Sequence, residues 1–422
     1  MEKIDYVLDF CKELGKQMIA CGANIERVDH TIVRICHAYS LHDVTCANLT
    51  TRISISAKDE NKLYAHRQTV VPPQTFNLEK LKKLNNLAYN VSNNTPDPTT
   101  LYDMLHEVKT NDFSWWVIMI GYLLAMAGLA RIFMATPSEL LIVEMNTLLL
   151  FGLSKLFSKI HINKIITNFF SMFLCSFLAI LFHASGFIES FYVIVITNAF
   201  FLIPGIQMIN CARNLLCGNE MNGVIELLKV ILEVCTIVAG VAAAYALFGG
   251  LVNNTTLQDN IREQGSQWYN YLELTILTLM AVVGFSLVFN IQIQDLPFAA
   301  IGGVIVRVVY ILFQLLPKPY LFVSIALAAF FAAFYSEMVA IKRKEPSTLY
   351  LYPSIVPLIP GDLFYYSALG LVWMDTSLIK EYAPTLVLSL VGISVGFVVC
   401  STVVHYIRKF KLIRFESNNS VK

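Results

Sequence analysis

The chain has 422 residues, 56% of them apolar and only 14% charged, and its mean hydropathy is +0.59. A soluble domain contains roughly 45–50% apolar and about 25% charged residues, so this composition excludes an ordinary soluble enzyme. The 31 basic and 30 acidic residues leave a net charge of +1, which gives no field that would attract nucleic acid. We therefore expect a membrane protein without a nucleic-acid partner.

The charged residues are distributed unevenly along the chain. Residues 1–114 contain 27 of the 61 charges, and residues 115–422 contain the other 34. The first part thus has a soluble composition and the second a membrane composition. The pair Trp115-Trp116 at the boundary suits a membrane interface. The first residues lack the apolar core of a signal peptide, so we expect residues 1–114 to form a cytoplasmic domain.

Residues 1–114 have the pattern of a mixed α+β domain. Apolar spacing predicts helices over residues 2–21 and from Ile25 to Tyr39, and alternation predicts strands over 51–56 and from 62 to 71. Two more helices are predicted, from Leu78 to about Val91 and from Pro98 to about Lys109. The domain has no nucleophile motif or phosphate loop, so we predict no catalytic residue and no cofactor.

The nine cysteines are scattered and include no Cys-x-x-Cys pair, which is typical of reduced thiols. Cys36 lies near three histidines, but this spacing favours ordinary core and surface residues over a metal site. We predict no metal.

Ten apolar runs follow the N-terminal domain. They cover residues 115–134, 138–153, 165–183, 188–210, 224–250, 271–291, 297–316, 320–341, 349–373 and 384–407. The second run is the weakest, because it is short and contains Glu139, Glu144 and Asn146. With ten spans and the N-terminal domain inside, the cytoplasmic loops and tail contain eleven Lys/Arg and the opposite face four. This bias predicts that both termini are cytoplasmic.

The membrane part contains an internal repeat. Leu202-Ile203-Pro204-Gly205 lies in the fourth run and Leu358-Ile359-Pro360-Gly361 in the ninth, with the two prolines 156 residues apart (360 minus 204). The first and sixth runs begin with the same offset. We therefore predict five-helix modules at 115–250 and 271–422, joined by a linker at 251–270. An odd number of spans makes the two modules inverted repeats.

Paired Pro-Gly breaks in inverted repeats indicate the central site of a transporter. Proline removes a backbone donor and glycine tolerates the broken helix. The freed backbone groups need protein or a water-filled cavity around them. Either motif alone is better explained by a packing kink, which is common in membrane helices, whereas the symmetric pair favours the transporter site.

Several motifs resemble the threonine/serine exporter family. The first is Gly22-Ala23-Asn24-Ile25-Glu26-Arg27-Val28-Asp29 before an amphipathic helix, and the second is the helix from Asn77 to Leu87. The Pro204-Gly205 break is followed by Asn210-x-x-Arg213-Asn214-Leu215-Leu216-x-Gly218, and the second half has Leu358 to Gly361 with Tyr365. The resemblance implies a bacterial inner-membrane exporter of threonine and serine with ten spans. A two-component relative is associated with succinate export.

This chain departs from the family pattern at two places. Ile25 and Asp29 stand where Thr/Ser and Glu are usual, which is a mild change. Arg213-Asn214 stands where an acidic residue is common, so no carboxylate function is transferred there.

Charged residues inside spans are functional candidates. Arg307 could bind a substrate carboxylate through a two-pronged contact, and Asp362, after the second break, could bind an ammonium group. The alternative is an internal pair of Arg307 with a carboxylate that never meets substrate.

The other predicted substrate-binding residues lie at or beside the two breaks. They are Asn198, Pro204, Gly205, Asn210, Pro360, Gly361 and Tyr365. For each polar member alone, hydrogen bonding between helices is the more ordinary role. Glu144, Glu337 and Asp362 are the candidates for proton coupling, since a buried carboxyl can exchange a proton.

The sequence therefore predicts a proton-coupled secondary exporter of threonine or serine, with substrate, protons and the lipid bilayer as its partners and a homo-oligomer left open. A dicarboxylate exporter is the close alternative, although two cationic groups would then be expected. An intramembrane enzyme is the rival from another class, but no catalytic constellation can be placed on neighbouring spans. A sensor that uses the N-terminal domain is a further alternative.

Overall fold

The computed structural model describes residues 3–251, 268–318 and 320–419. Most of the predicted linker, 251–270, lies outside the described residues. The chain forms two compact units. The first contains the N-terminal residues through Ser114 together with Phe289–Asp295 and Met338–Tyr350. The second contains Trp115–Val288, Leu296–Glu337 and the residues from Leu351 onward.

The N-terminal part of the first unit combines helices with a small antiparallel sheet. Its elements are α1 (Lys3–Ala20), α2 (Ile25–Ala38), β1 (His42–Cys46), β2 (Arg52–Lys58), β3 (Tyr64–Val70), α3 (Leu78–Asn94) and α4 (Leu101–His106). The strands lie in the order β1-β2-β3, with Ile55 of β2 opposite Arg67 of β3. Alternate residues of β2 are fully buried, and α1 packs against this strand. Strand β1 was not predicted.

The turn between α1 and α2 explains Gly22 in the first motif. Gly22 has φ +95, a backbone conformation that glycine adopts without strain. Its N–H donates to Ile19 O at 3.0 Å, and the N–H of Ala23 donates to Met18 O at 2.9 Å. These two bonds form a Schellman motif, which satisfies the last carbonyls of α1. The side chain of Asn24 then caps α2 by accepting from the N–H of Glu26.

Two loops from the apolar half of the chain complete the first unit. The N–H of Leu78 donates to Phe289 O at 3.0 Å, and the N–H of Phe113 donates to Asn290 Oδ1 at 2.8 Å. In the other loop, Arg27 Nη2 donates to Ser347 Oγ at 2.6 Å. The N-terminal domain therefore holds both loops.

A four-charge cluster, formed by Lys82, Asp295, Arg343 and Glu345, lies within this unit. Lys82 Nζ is 2.7 Å from Asp295 and 2.8 Å from Glu345, and Arg343 Nη2 is 2.6 Å from Asp295. The side chain of Asp295 is only 1% exposed. Tyr350 donates a hydrogen bond to Glu345. The two positive and two negative charges balance, as buried charges require.

Where the structure describes it, the apolar part of the chain consists of helices and the turns that connect them. Its helices are α5 (Trp115–Ile132), α6 (Pro137–Lys159), α7 (Lys164–Ala184), α8 (Phe191–Leu202), α9 (Gly205–Leu216), α10 (Glu220–Phe248), α11 (Trp268–Val288), α12 (Leu296–Gln314), α13 (Leu321–Arg343), α14 (Thr348–Ile355), α15 (Gly361–Trp373) and α16 (Thr376–Asn419). Many large apolar side chains on these helices are exposed, such as Leu247 at 69% and Leu312 at 58%. A surface of this kind needs lipid to cover it.

Eight helices within the described residues are long and apolar enough to cross a membrane, or nine if α8 and α9 count as one bent span. The weak second run forms α6, a 23-residue helix of about 35 Å. Its Glu139 lies in the first turn, where it forms a capping box with Thr136. The ninth predicted run, residues 349–373, is instead divided between the short helices α14 and α15. The ten predicted spans are thus not all present as long helices.

The nine cysteines all lie within the described residues, and none of them forms a disulfide. The paired tryptophans at the start of α5 stack with ring centroids 3.5 Å apart, and Lys155 Nζ lies 4.2 Å from the Trp115 ring.

Candidate functional site

The two Pro-Gly motifs break their helices with the same backbone geometry. Pro204 has φ −78 and ψ 63, and Pro360 has φ −80 and ψ 58. In both places the N–H of the following glycine donates to the carbonyl of the preceding isoleucine at 2.8 Å. These values define an inverse γ-turn. The α8–α9 break bends the chain by 63°, and a turn of this kind cannot continue either helix.

The two breaks pack close together within the second unit. A Cβ added at Gly205 would lie 2.8 Å from Ile359 Cδ1, and one added at Gly361 would lie 2.6 Å from Phe200 Cζ. Each glycine thus lies against a residue of the other broken segment. Any larger side chain at either position would force the segments apart.

A cavity of about 310 Å³ adjoins the second break. Volumes from roughly 300 Å³ upward are typical of small-molecule pockets. Its walls come from α12, α13, the segment before α15, α15 itself and α16. The lining residues are Val306, Arg307, Tyr310, Leu321, Ile325, Pro357, Leu358, Ile359, Pro360, Asp362, Leu363, Thr385 and Ser389.

Two opposite charges line this cavity. Arg307 on α12 is half-buried, and its Nε donates to Thr278 Oγ1 on α11 at 2.8 Å. Asp362 lies in the first turn of α15, where its carboxylate contacts the backbone N–H groups of Asp362 and Leu363. In the part of the chain that the structure describes, no ion pair within 4 Å joins Arg307 to a carboxylate. Both charges are therefore available to a ligand.

Contacts in the two halves repeat with the offset of the prolines. In the first half, Asn198 Nδ2 donates to Val143 O at 3.1 Å, and in the second, Ser354 Oγ donates to Ala299 O at 3.0 Å. Both donors and both acceptors are 156 residues apart. Gly240 on α10 approaches the α7 backbone at Phe169 O, and Gly396 on α16, 156 residues later, approaches the α13 backbone at Ala326 O, one residue beyond the equivalent position.

The cavity charges do not repeat in this way. The position 156 residues before Arg307 is Phe151, and the position before Thr278 is Tyr122. These two rings contact each other with centroids 6.1 Å apart. The pair α11 and α12 in the second half is therefore joined by a polar contact, and the equivalent pair α5 and α6 in the first half by an aromatic one.

The other predicted binding residues are not among those that line this cavity, although Gly361 stands between two that do. Asn198 is fully buried and bonds across to α6, where it accepts from Asn146 Nδ2 at 3.2 Å. Asn210 is buried on α9. Tyr365 is 0% exposed, and its hydroxyl has no hydrogen-bond partner among the described residues. Pro204 and Gly205 form the other break. Only Arg307, Pro360 and Asp362 of the predicted set line the cavity.

The predicted coupling residues are spread over three helices. Glu144 is half-buried on α6, and its Oε1 has no hydrogen-bond partner among the described residues. Glu337 is half-buried on α13, with an electrostatic contact to Cys400 on α16. Asp362 alone of the three lines the cavity. The coupling roles of all three stay predictions.

Sequence reasoning missed four polar residues at or beside the cavity. Tyr310, Thr385 and Ser389 line it, and Thr278 contacts Arg307. Tyr310 follows Arg307 by three residues, and Thr385 and Ser389 are four apart. Such spacing places each pair on one helix face and was the signal available in the sequence.

Comparison with known families follows the two halves of the chain. Residues 9–248 match the ThrE family model of threonine/serine exporters. Residues 274–403 match a second family model, described as Threonine/Serine exporter, ThrE. No curated protein and no solved structure matches the chain. The first match alone covers more than half of the 422 residues and includes the N-terminal domain. The chain therefore belongs to the threonine/serine exporter family and is a multi-pass membrane exporter.

Proposed function

We propose that this exporter carries small zwitterionic amino acids, threonine or serine first, from the cytoplasm across the inner membrane of a bacterium. The observation that carries the proposal is the cavity beside the Pro360 break, which has one cation and one anion. An amino acid has a carboxylate and an ammonium group, and Arg307 and Asp362 match them in number and sign.

The helix breaks support the placement of the substrate at this cavity. Pro360 and Ile359 line it, and a γ-turn leaves backbone groups that no longer bond within the helix. Thr385 and Ser389 line the cavity, and their hydroxyls donate to their own helix, at Glu381 O (3.4 Å) and at Thr385 O (2.7 Å). Their oxygens can still accept a hydrogen bond from a substrate hydroxyl. A site built to bond a hydroxyl rejects analogues that lack one. This argument favours threonine and serine over alanine or valine.

We further propose ten spans arranged as two inverted five-helix repeats with cytoplasmic termini. The equal backbone angles at Pro204 and Pro360 and the hydrogen bonds repeated 156 residues apart support the repeat. Two spans are then the broken pairs, α8 with α9 and α14 with α15. The excess of Lys/Arg in the loops assigned to the cytoplasm supports the orientation.

Proton coupling is the last element of the proposal. Export against a gradient needs an energy source, and the sequence contains no ATP-binding motif. Glu144, Glu337 and Asp362 are the carboxyls proposed to carry the proton. Protonation of Asp362 would also remove the charge that binds the substrate ammonium, which would link proton binding to substrate release.

The cavity disfavours a dicarboxylate such as succinate, because Arg307 is the one cation among the described residues that line it. Two carboxylates would leave one negative charge next to Asp362 without compensation.

Counterflow in proteoliposomes tests class and substrate together. Purified full-length protein is reconstituted, loaded with unlabelled threonine, serine, alanine or succinate, and exposed to labelled threonine. We expect exchange with threonine and serine and little with alanine or succinate. Exchange driven best by succinate would contradict the proposal, and absence of exchange with every substrate would favour a sensor or an enzyme.

A further inference from the structure

The guanidinium of Arg307 is held by one neighbouring side chain. Its Nε donates to Thr278 Oγ1 at 2.8 Å, and no other hydrogen bond of Arg307 occurs within residues 3–251, 268–318 and 320–419. Thr278 is 0% exposed on α11, so neither lipid nor bulk water competes for its hydroxyl. The arginine side chain has many rotamers, and a fixed partner at Nε restricts them.

The position of this bond determines how the guanidinium can meet a carboxylate. A guanidinium forms two parallel hydrogen bonds to a carboxylate either through Nε and one terminal nitrogen or through Nη1 and Nη2. Because Nε is occupied by Thr278, only the pair Nη1 and Nη2 is left for an incoming carboxylate.

We propose that Thr278 is a positioning residue that presents Nη1 and Nη2 of Arg307 to the cavity, so that the site requires a substrate with a free carboxylate bound end-on. This inference rests on the proposed function and deepens it. It excludes amides and esters of amino acids as substrates, since these leave the guanidinium without a counter-charge.

The first half of the chain argues against a purely structural role for the bond. The equivalent helix pair, α5 and α6, has Tyr122 and Phe151 in contact where α11 and α12 have Thr278 and Arg307. Packing of this pair therefore does not require a polar contact. The hydrogen bond occurs in the half whose helices line the cavity, which is where a positioning role is needed.

The test uses three variants of the full-length protein on α11. Thr278→Val removes the hydroxyl with little change in shape, and Thr278→Ser retains it. Thr275→Val is the matched control, because among the described residues the Thr275 hydroxyl bonds only its own helix, at Tyr271 O, 2.8 Å away. Each variant is reconstituted, and counterflow of labelled threonine is measured for half-saturating concentration and maximal rate. Competition by unlabelled threonine and by threonine amide is measured in parallel, with the melting temperature of each protein.

For Thr278→Val we expect the half-saturating threonine concentration to rise roughly tenfold or more, since a hydrogen bond to a charged group is lost. The preference for threonine over its amide should shrink, and the melting temperature should stay within about 2 °C of the wild type. Thr278→Ser and Thr275→Val should each behave like the wild type.

Two results would overturn the positioning role. One is unchanged affinity and unchanged preference in Thr278→Val. The other is a lower melting temperature in both Thr278→Val and Thr278→Ser, while the folded fraction of each variant still prefers threonine over its amide. That combination would make Thr278 a structural residue. If the wild type itself binds threonine amide as well as threonine, the proposed role of Arg307 fails before Thr278 is considered.

Discussion

At the scale of single residues, the charge that matters most is Arg307. It lies in the cavity with no carboxylate within 4 Å among the described residues, so its Nη groups are available to substrate. Arg307→Lys keeps the positive charge, but an ammonium cannot reproduce the planar two-pronged contact. We expect threonine affinity to fall roughly 10- to 100-fold in counterflow, while the melting temperature changes little.

The double variant Arg307→Gln with Asp362→Asn separates binding from folding. If the two residues bind substrate, this protein should fold and stay inactive. Recovery of transport in the double variant, relative to either single one, would indicate a structural pair instead. A fully active Arg307→Ala protein would move the substrate site away from this cavity.

Glu144 tests the proposed coupling. Its Oε1 has no partner in the described structure and it does not line the cavity, so Glu144→Gln should leave substrate binding intact. If Glu144 carries the proton, uptake driven by an imposed pH gradient should fall to the level of empty liposomes, whereas counterflow should continue. Glu337→Gln is the comparison. Gradient-driven transport that persists in Glu144→Gln would remove this residue from the coupling path.

The sequence contained part of this residue-level picture. Arg307 and Asp362 are conspicuous because a charge inside an apolar run is costly and rarely accidental. Thr278 is not, since a threonine in a membrane helix commonly bonds its own backbone, as Thr275 does. Thr278 differs from Thr275 only in having Arg307 of α12 as its neighbour across the helix interface, and the sequence does not show which side chains become neighbours in the fold.

At the scale of elements, the two breaks are the features to test. Pro204→Ala and Pro360→Ala allow a continuous helix. A continuous helix would bond the backbone groups that the break leaves free and would shift Gly205 and Gly361 from their packing contacts. We expect either variant to reduce counterflow at least about tenfold while protein yield and melting temperature are less affected. Pro297→Ala is the control, because this proline lies in the first turn of α12, where proline fits a helix.

Equal loss in Pro297→Ala would show that any proline change in this membrane part is harmful. Normal transport in both break variants would reduce the prolines to packing kinks.

The elements differed in how well the sequence predicted them. The Pro-Gly motifs indicated both breaks, because proline and glycine act locally. Strand β1 was missed because none of His42–Cys46 is buried, so the segment shows no apolar alternation. Its pairing with β2 comes from the neighbouring strand, and a register shift between His42 and Thr45 weakens the pattern further.

At the scale of the whole molecule, the N-terminal domain binds two loops that are far from it along the chain. The sequence did not indicate this contact. Phe289–Asp295 connects α11 to α12, and Met338–Tyr350 contains the end of α13, the loop that follows it and the start of α14. Both lie about 200 residues or more from the helices that bind them. Those loops lead directly into α12 and out of α13, which line the cavity. Non-local pairing of this kind depends on topology and leaves no periodic signal.

The four-charge cluster gives this contact a pH dependence. Burial alone would raise the pKa of Glu345, but the hydrogen bonds from Lys82 and Tyr350 and the nearby positive charges hold that pKa below its usual value. A lowered pKa stabilises the folded state once the unfolded group is ionised, above about pH 4.3, and the stabilisation is lost as pH falls through the folded pKa. The difference in melting temperature between wild type and Glu345→Gln should therefore be constant from pH 6 to 8. It should shrink below about pH 4; a difference that grows there would contradict this origin.

Lys82 provides the sharpest test of the cluster. Its Nζ contacts both acidic members. Lys82→Met keeps most of the apolar stem but removes the ammonium, which leaves Asp295, whose side chain is 1% exposed, with Arg343 as its partner in the cluster. Removing one partner of a buried pair costs about 3–5 kcal/mol, and the 18% exposure of Lys82 and the remaining arginine reduce this to about 1–3 kcal/mol. The melting temperature of the purified full-length protein should fall by several degrees, and adding Asp295→Asn should restore part of the loss, because it removes the stranded charge.

The exposed pair of Lys58 with Asp43, 2.8 Å apart, is the control, and Lys58→Met should have no measurable effect, since solvent already screens it. Equal destabilisation by Lys82→Met and Lys58→Met would mean that the cluster contributes no more than an ordinary surface ion pair. The domain would then be held to its loops by the hydrogen bonds that Leu78 N–H, Phe113 N–H and Arg27 Nη2 donate.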